Sequence, residues 1–188
     1  YSYISGRLFL TKIFKEITGE SINNPNKEHF YRKSFYYAIQ KGVEAGIFNK
    51  RLLEFDLDKL ATGLKLERDE LLQYMGLQTL HERYLAKING KRLELPQCFW
   101  MRVAMGLALN EKDKEEKALE FYDLFSLLKY VPSTPTLFHS GTVFPQLSSC
   151  FLNTVEDDLK HIFKTYLDTA LMSKFSGGIA TDWTNIRA

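Results

Sequence analysis

The stretch Thr134-Pro135-Thr136-Leu137-Phe138-His139-Ser140-Gly141-Thr142, closed by Pro145-Gln146-Leu147-Ser148-Ser149-Cys150, is the part of the chain least like ordinary packing. Its hydroxyl side chains, turn glycine and two X-Pro steps predict an irregular segment. Ser148-Ser149-Cys150 then leads into the apolar pair Phe151-Leu152, the pattern of a buried strand beginning. Ser and Thr offer donors and acceptors to an anionic or polyhydroxylated ligand, and Gly141 would let backbone N–H groups come close to it. The same residues admit a plainer reading, in which the hydroxyls close turns and Cys150 is a small buried hydrophobe. Spacing alone leaves both open.

Downstream, the strand is expected to run to about Asn153, and Asp157 or Asp158 can cap a helix that continues to about Lys174. That helix carries Leu159, Ile162, Phe163, Tyr166, Leu167, Ala170 and Leu171, a stripe wide enough for burial on two sides. Pattern alone would satisfy it by packing within the chain. Ser176-Gly177-Gly178-Ile179-Ala180 leads into a second strand, where paired glycines permit either a helix C-cap or close approach of a ligand.

Upstream, the periodicity is helical. Leu10, Ile13, Phe14 and Ile17 mark a helix ending near Gly19, and Tyr31, Phe35, Ile39 and Val43 mark a second over about 27–47. Residues 56–63 predict a single turn. Glu67–Met75 reads as helix, ended near Gly76, with a further piece to about His81. Asn89-Gly90, between Leu85-Ala86-Lys87-Ile88 and Lys91-Arg92-Leu93-Glu94, is a hairpin signal because both turn positions need positive φ. Pro96 suits a helix first turn, ahead of an apolar helix from Cys98 to Leu109 with Cys98 as a structural residue. A last helix, Lys114 to about Lys129, is expected to bury Phe121, Leu124, Phe125 and Leu128. Val131-Pro132-Ser133 is the linker, so we divide the chain near residue 130 into a helical platform, 1–130, and a second unit, 131–188.

A net charge of +2, with acidic residues interrupting the basic ones as in Lys112-Asp113-Lys114-Glu115-Glu116-Lys117, argues against a nucleic-acid surface. No apolar stretch reaches the roughly 18 residues needed to span a bilayer, and no signal-peptide pattern opens the chain, so a soluble, cytoplasmic protein with no membrane partner is expected. Two cysteines, Cys98 and Cys150, lack metal-ligand spacing, and no metal site is expected. His139 is the one histidine in the central stretch and is expected to be a loop residue. The opening at Tyr1 without a Met, and the end at Ala188, lead us to expect a piece of a longer chain.

Ser133 to Thr142, with Gln146 to Leu152, resembles the start of the catalytic barrel in the large (α) subunit of class I ribonucleotide reductases. The likeness continues through Val155-Glu156-Asp157-Asp158-Leu159 and Gly177-Gly178-Ile179 to Asn185-Ile186-Arg187-Ala188. It also runs back through Leu95-Pro96-Gln97 and Met101-Arg102-Val103-Ala104-Met105-Gly106 to Tyr1-Ser2-Tyr3, so that essentially the whole chain is covered. It starts downstream of the ATP-binding cone that many members carry. The resemblance implies a mainly α N-terminal helical domain followed by the first strands and helix of a ten-stranded α/β barrel.

What the family does sets the further expectations. Members reduce ribonucleoside diphosphates at the 2′ carbon with a thiyl radical and a pair of reducing cysteines. Cys150 matches one of that pair; the other and the radical cysteine lie downstream in the family. Thr134, Ser149 and Gly178 match substrate-contacting positions, with Cys150 among them. Asp157 and Arg187 match the allosteric site for deoxynucleoside triphosphate or ATP effectors, although on pattern alone Asp157 is an N-cap and Arg187 a surface charge. The helix over 158–174 would help form a homodimer. This stretch would hold no cofactor itself, whereas the full enzyme would depend on a radical-generating small (β) subunit with a metal centre and on a thioredoxin- or glutaredoxin-type reductant. By itself the stretch would be a nucleotide-binding, dimerising module without turnover.

Overall fold

The computed structural model describes residues 1–174 and 177–187; Ser176 and Ala188, which belong to the motifs above, lie outside the described residues. α1 (Ser2–Thr18) buries Leu10, Ile13 and Phe14 and ends at Gly19, whose φ of 76° turns its N–H back to the Lys15 carbonyl. α2 (Lys27–Glu44) buries Tyr31, Phe35 and Ile39 on the expected face. α3 (Leu57–Gly63) is a fuller helix than the single turn expected, and the Asp56 carboxylate caps it by accepting the Lys59 N–H.

Residues 67–75 differ from the helix expected there. A 3₁₀ turn (Leu66–Leu71) is followed by α4 (Tyr74–Thr79), which runs through Gly76, and by a π-type turn (Leu80–Tyr84). Within the 3₁₀ turn Asp69 is buried, with a hydrogen-bond partner on each carboxylate oxygen, an arrangement a helical period count cannot foresee. The hairpin is present: β1 (Lys87–Ile88) pairs antiparallel with β2 (Lys91–Arg92), and Asn89 and Gly90 have φ of 51° and 79°.

The helical body is built around α5 (Pro96–Ala108), in which every residue except Gly106 and Leu107 is buried. A helix covered on all sides must find partners for its polar residues. Gln97 donates to Asp69 Oδ1 at 2.7 Å and accepts the Tyr122 hydroxyl at 2.6 Å, while the Tyr31 hydroxyl donates to Asp69 Oδ2 at 2.8 Å. Arg102 lies on Glu94, Nε to Oε1 2.8 Å, with both side chains 1% exposed. Cys98 is buried in this helix, and burial pushes its thiol pKa up, as befits a structural residue.

α6 (Lys114–Ser126) stops three residues short of Lys129, because Leu128 takes a φ of 56°. Its buried face is Ala118, Tyr122, Phe125 and Ser126; of the four apolar residues expected inside, only Phe125 is fully buried, and Leu124 and Leu128 are exposed.

The central stretch also differs from expectation. Residues Thr134–His139 form α7 rather than an irregular segment. Pro135 sits in the first turn, where a missing N–H costs nothing, so an X-Pro step that suggested a loop starts a helix. His139 accordingly ends a helix, with Nδ1 2.9 Å from the Gln146 carbonyl oxygen. Beyond it, β3 (Cys150–Thr154), α8 (Leu159–Lys174) and β4 (Gly178–Asp182) form a βαβ unit with the two strands parallel, the connection that such strands require.

Candidate functional site

The βαβ unit positions the predicted residues through its register. Cys150 is opposite Gly178, Leu152 opposite Ala180 and Thr154 opposite Asp182. Alternation puts these six on one sheet face, and all six are exposed, whereas Phe151, Asn153, Ile179 and Thr181 are half-buried on the other. α8 covers that second face, with Thr169 Oγ1 3.4 Å from Asn153 Nδ2. The strand expected to be buried is therefore covered on one side, and Leu152 is 86% exposed. Parallel sheets ordinarily have both faces covered, so the bare face is one that further structure would close.

The paired glycines have separate tasks. Gly177 N–H closes the helix end on the Met172 carbonyl at 3.2 Å, and a side chain there would run into the Phe151 ring. Gly178 N–H donates to the Ser149 carbonyl at 2.9 Å, and the space beside it opens onto the Cys150 sulfur. Ser149 directly precedes the strand and is exposed, so Ser149, Cys150 and Gly178 form one local group. Thr134, at the start of α7, is tied instead to the helical body by its Oγ1, 3.1 Å from the Tyr84 hydroxyl.

Asp157 and Arg187 lie at the opposite, carboxyl ends of the strands. Arg187 Nε is 3.2 Å from Asp157 Oδ2, and the guanidinium side chain is 85% exposed. Asp158, not Asp157, caps α8, accepting the His161 N–H at 3.0 Å. That leaves the Asp157 carboxylate to the arginine. Four residue steps of strand separate the two ends, about 13 Å.

The turn between α7 and β3 is held by groups that sequence reasoning missed. The Arg102 guanidinium donates to the Ser140 carbonyl at 2.7 Å, and the Ser140 hydroxyl donates to the Val103 carbonyl at 2.7 Å. Gly141 was expected to admit a ligand to the backbone; it is buried, with a φ of 77°, facing Arg102 and Gly106. Its small size serves a close crossing of this turn over α5. The one charged residue in a mainly apolar helix, Arg102, was the available signal, since such a charge must be paired.

A helical platform that grips a turn and delivers a thiol at the head of a parallel strand defines a chain leading from an all-α body into an α/β domain. Comparison with known families agrees: residues 70–145 match the ribonucleotide reductase all-alpha domain, and residues 148–188 match its barrel domain. The chain belongs to the ribonucleotide reductase family, in its large (α) subunit. It is 47% identical over 189 residues to the ribonucleoside-diphosphate reductase subunit alpha of Chlamydia pneumoniae, covering 100% of this chain and 18% of that protein. Against the subunit alpha of Helicobacter pylori strain 26695 it is 36% identical, covering 100% of this chain and 23% of the relative. Against the large subunit of vaccinia virus it is 37% identical, covering 94% and 22%. The chain thus spans about a fifth of the length of the curated relatives it matches.

Proposed function

We propose that the full-length protein is the large subunit of a cytoplasmic ribonucleoside-diphosphate reductase, supplying 2′-deoxyribonucleotides for DNA synthesis, and that Cys150 is one of its two reducing thiols. The observation that carries this reading is the placement of Cys150 at the head of a strand as register partner of Gly178, with the space beside that glycine opening onto the Cys150 sulfur. In the net step the 2′ C–O bond breaks and a C–H bond forms. Two thiols give up two hydrogens and become a disulfide, and the hydroxyl leaves as water. An external dithiol of the thioredoxin or glutaredoxin type then restores the thiols by exchange. A radical-generating small subunit with a metal centre would start the turnover.

Ser149 and Gly178 beside the thiol, with Thr134 from the start of α7, would bind and orient the diphosphate substrate, a positioning contribution. Asp157 and Arg187 would take the effector nucleotide, Asp157 toward the nucleoside and Arg187 toward the triphosphate, through the paired donors of a guanidinium. The apolar face of α8 would pack against a second copy of the subunit.

The 188 residues on their own fit a nucleotide-binding, dimerising module without turnover, because the chain has two cysteines and Cys98 is 1% exposed, too deeply covered to serve as the second thiol. The test is made on the full-length protein with its small subunit and a thioredoxin-type reductant, following deoxynucleoside diphosphate formation. Cys150→Ser should abolish multiple turnover and leave substrate binding nearly intact, since a hydroxyl forms no disulfide. Steady-state activity within twofold of the parent, a barrier change of about 0.4 kcal/mol, would remove Cys150 from the reaction.

A further inference from the structure

Tyr84 ends the π-type turn and comes within hydrogen-bonding distance of Thr134 from fifty residues away, 3.1 Å between the two hydroxyl oxygens. Its ring is held in place. The ring centroid is 4.8 Å from Phe138 and 6.3 Å from Phe99, and the Leu85 N–H closes the turn on the Leu80 carbonyl at 3.0 Å. A phenol fixed in this way cannot follow Thr134 if the threonine rotates, so the bond persists in one Thr134 rotamer.

The pair also has a definite donor count. Two hydroxyls that share one hydrogen bond use one of their two hydrogens, whichever of them donates. The other hydrogen remains for a third group. Thr134 is exposed and Tyr84 half-buried, so that group can be a ligand. A phosphate oxygen is the fitting partner, because it only accepts.

We propose that Tyr84 is a positioning residue for the substrate: it fixes the Thr134 hydroxyl so that the pair presents one O–H to a phosphate oxygen of the ribonucleoside diphosphate. This rests on the assignment of Thr134 as a substrate contact. It adds to the site a residue from the helical body, outside the barrel segment. If Tyr84 were only a packing aromatic, its ring would matter and its hydroxyl would not.

The experiment uses the full-length enzyme with its small subunit, comparing Tyr84→Phe, Thr134→Val and the double variant in steady-state reduction of a ribonucleoside diphosphate. Tyr84→Phe keeps the ring, so the thermal midpoint should stay at the parent's value. KM should rise about three- to tenfold, the range for losing one hydrogen bond, with kcat within twofold, the signature of a binding contact rather than a reacting one. In the Thr134→Val background the same change should add nothing. If Thr134→Val raises KM while Tyr84→Phe does not, the inference falls and the substrate assignment of Thr134 stands. If Tyr84→Phe raises KM equally in both backgrounds, the two hydroxyls act independently and the inference again falls. A Thr134→Val enzyme with parental KM would overturn the Thr134 assignment and the inference with it.

Discussion

Cys150 and Gly178 begin neighbouring parallel strands as register partners, and a methyl group built on Gly178 would lie 3.7 Å from the Cys150 sulfur and 3.4 Å from the Ser149 carbonyl oxygen. These are ordinary contact distances, so alanine fits at 178 without moving the strands. What it removes is the open space beside the thiol. Gly178→Ala should therefore leave the thermal midpoint of the full-length protein unchanged and lower kcat/KM about ten- to a hundredfold, the penalty for displacing a substrate by about an ångström. An enzyme with parental kcat/KM would mean that nothing needs the space beside the sulfur.

The outward face of α8 carries Leu159, Phe163, Tyr166, Leu167 and Leu171, each about half exposed or more, with the Trp183 ring centroid 5.7 Å from that of Tyr166. Ile162 is half-buried on the inner side, so it cannot be changed without disturbing the fold. Phe163→Asp together with Tyr166→Asp should convert a dimer of the full-length subunit to monomer with helicity kept. Aromatic anchors at an interface contribute about 2 kcal/mol or more each, enough for a dissociation constant to rise by more than a hundredfold when both are lost. Sedimentation velocity reads the outcome; an unchanged dimer would show that this face serves another contact.

Arg187 and Asp157 lie at the strand ends remote from Cys150, and Arg187→Ala should separate effector from substrate binding. Loss of charged hydrogen bonds, about 1.5–3 kcal/mol, should weaken deoxynucleoside triphosphate affinity by about ten- to a hundredfold and blur which base is reduced. Diphosphate affinity measured without effector should hardly change. The reverse pattern in equilibrium binding, substrate weakened and effector untouched, would place Arg187 in the active site.

Asp69 is fully enclosed among Tyr31 of α2, Gln97 and Cys98 of α5 and Tyr122 of α6, and burial lifts its carboxyl pKa to about 7 despite hydrogen bonds from Gln97 and Tyr31 that pull the other way. Glu67 and Glu70 on its own turn add to the rise. A folded pKa above the unfolded one means that the native state holds the proton more tightly. Stability from this group is then complete below about pH 4 and is lost as pH climbs toward 7, on the order of a few kcal/mol. Asp69→Asn cannot titrate, so the parent's advantage in thermal midpoint over Asp69→Asn should shrink steadily between pH 5 and pH 7.5. A constant gap would mean that Asp69 is ionised throughout.

The buried faces of α1 and α2, the Asn89-Gly90 hairpin and the sequence of helical body followed by strand, helix and strand were legible in the chain, because periodicity and turn chemistry are local properties that neighbouring residues largely determine. The family resemblance rested on linear motifs for the same reason. Tertiary structure decided the rest. It made a helix of Thr134–His139, brought Tyr84 to Thr134 across fifty residues, and set Arg102 against the Ser140 carbonyl. It gave the cap of α8 to Asp158 and left Asp157 to Arg187, a choice between two adjacent carboxylates that their order could not make. It also turned the aromatic face of α8 outward while Thr165 faces in, because only the packed sheet fixes which side of a wide apolar stripe the strands cover.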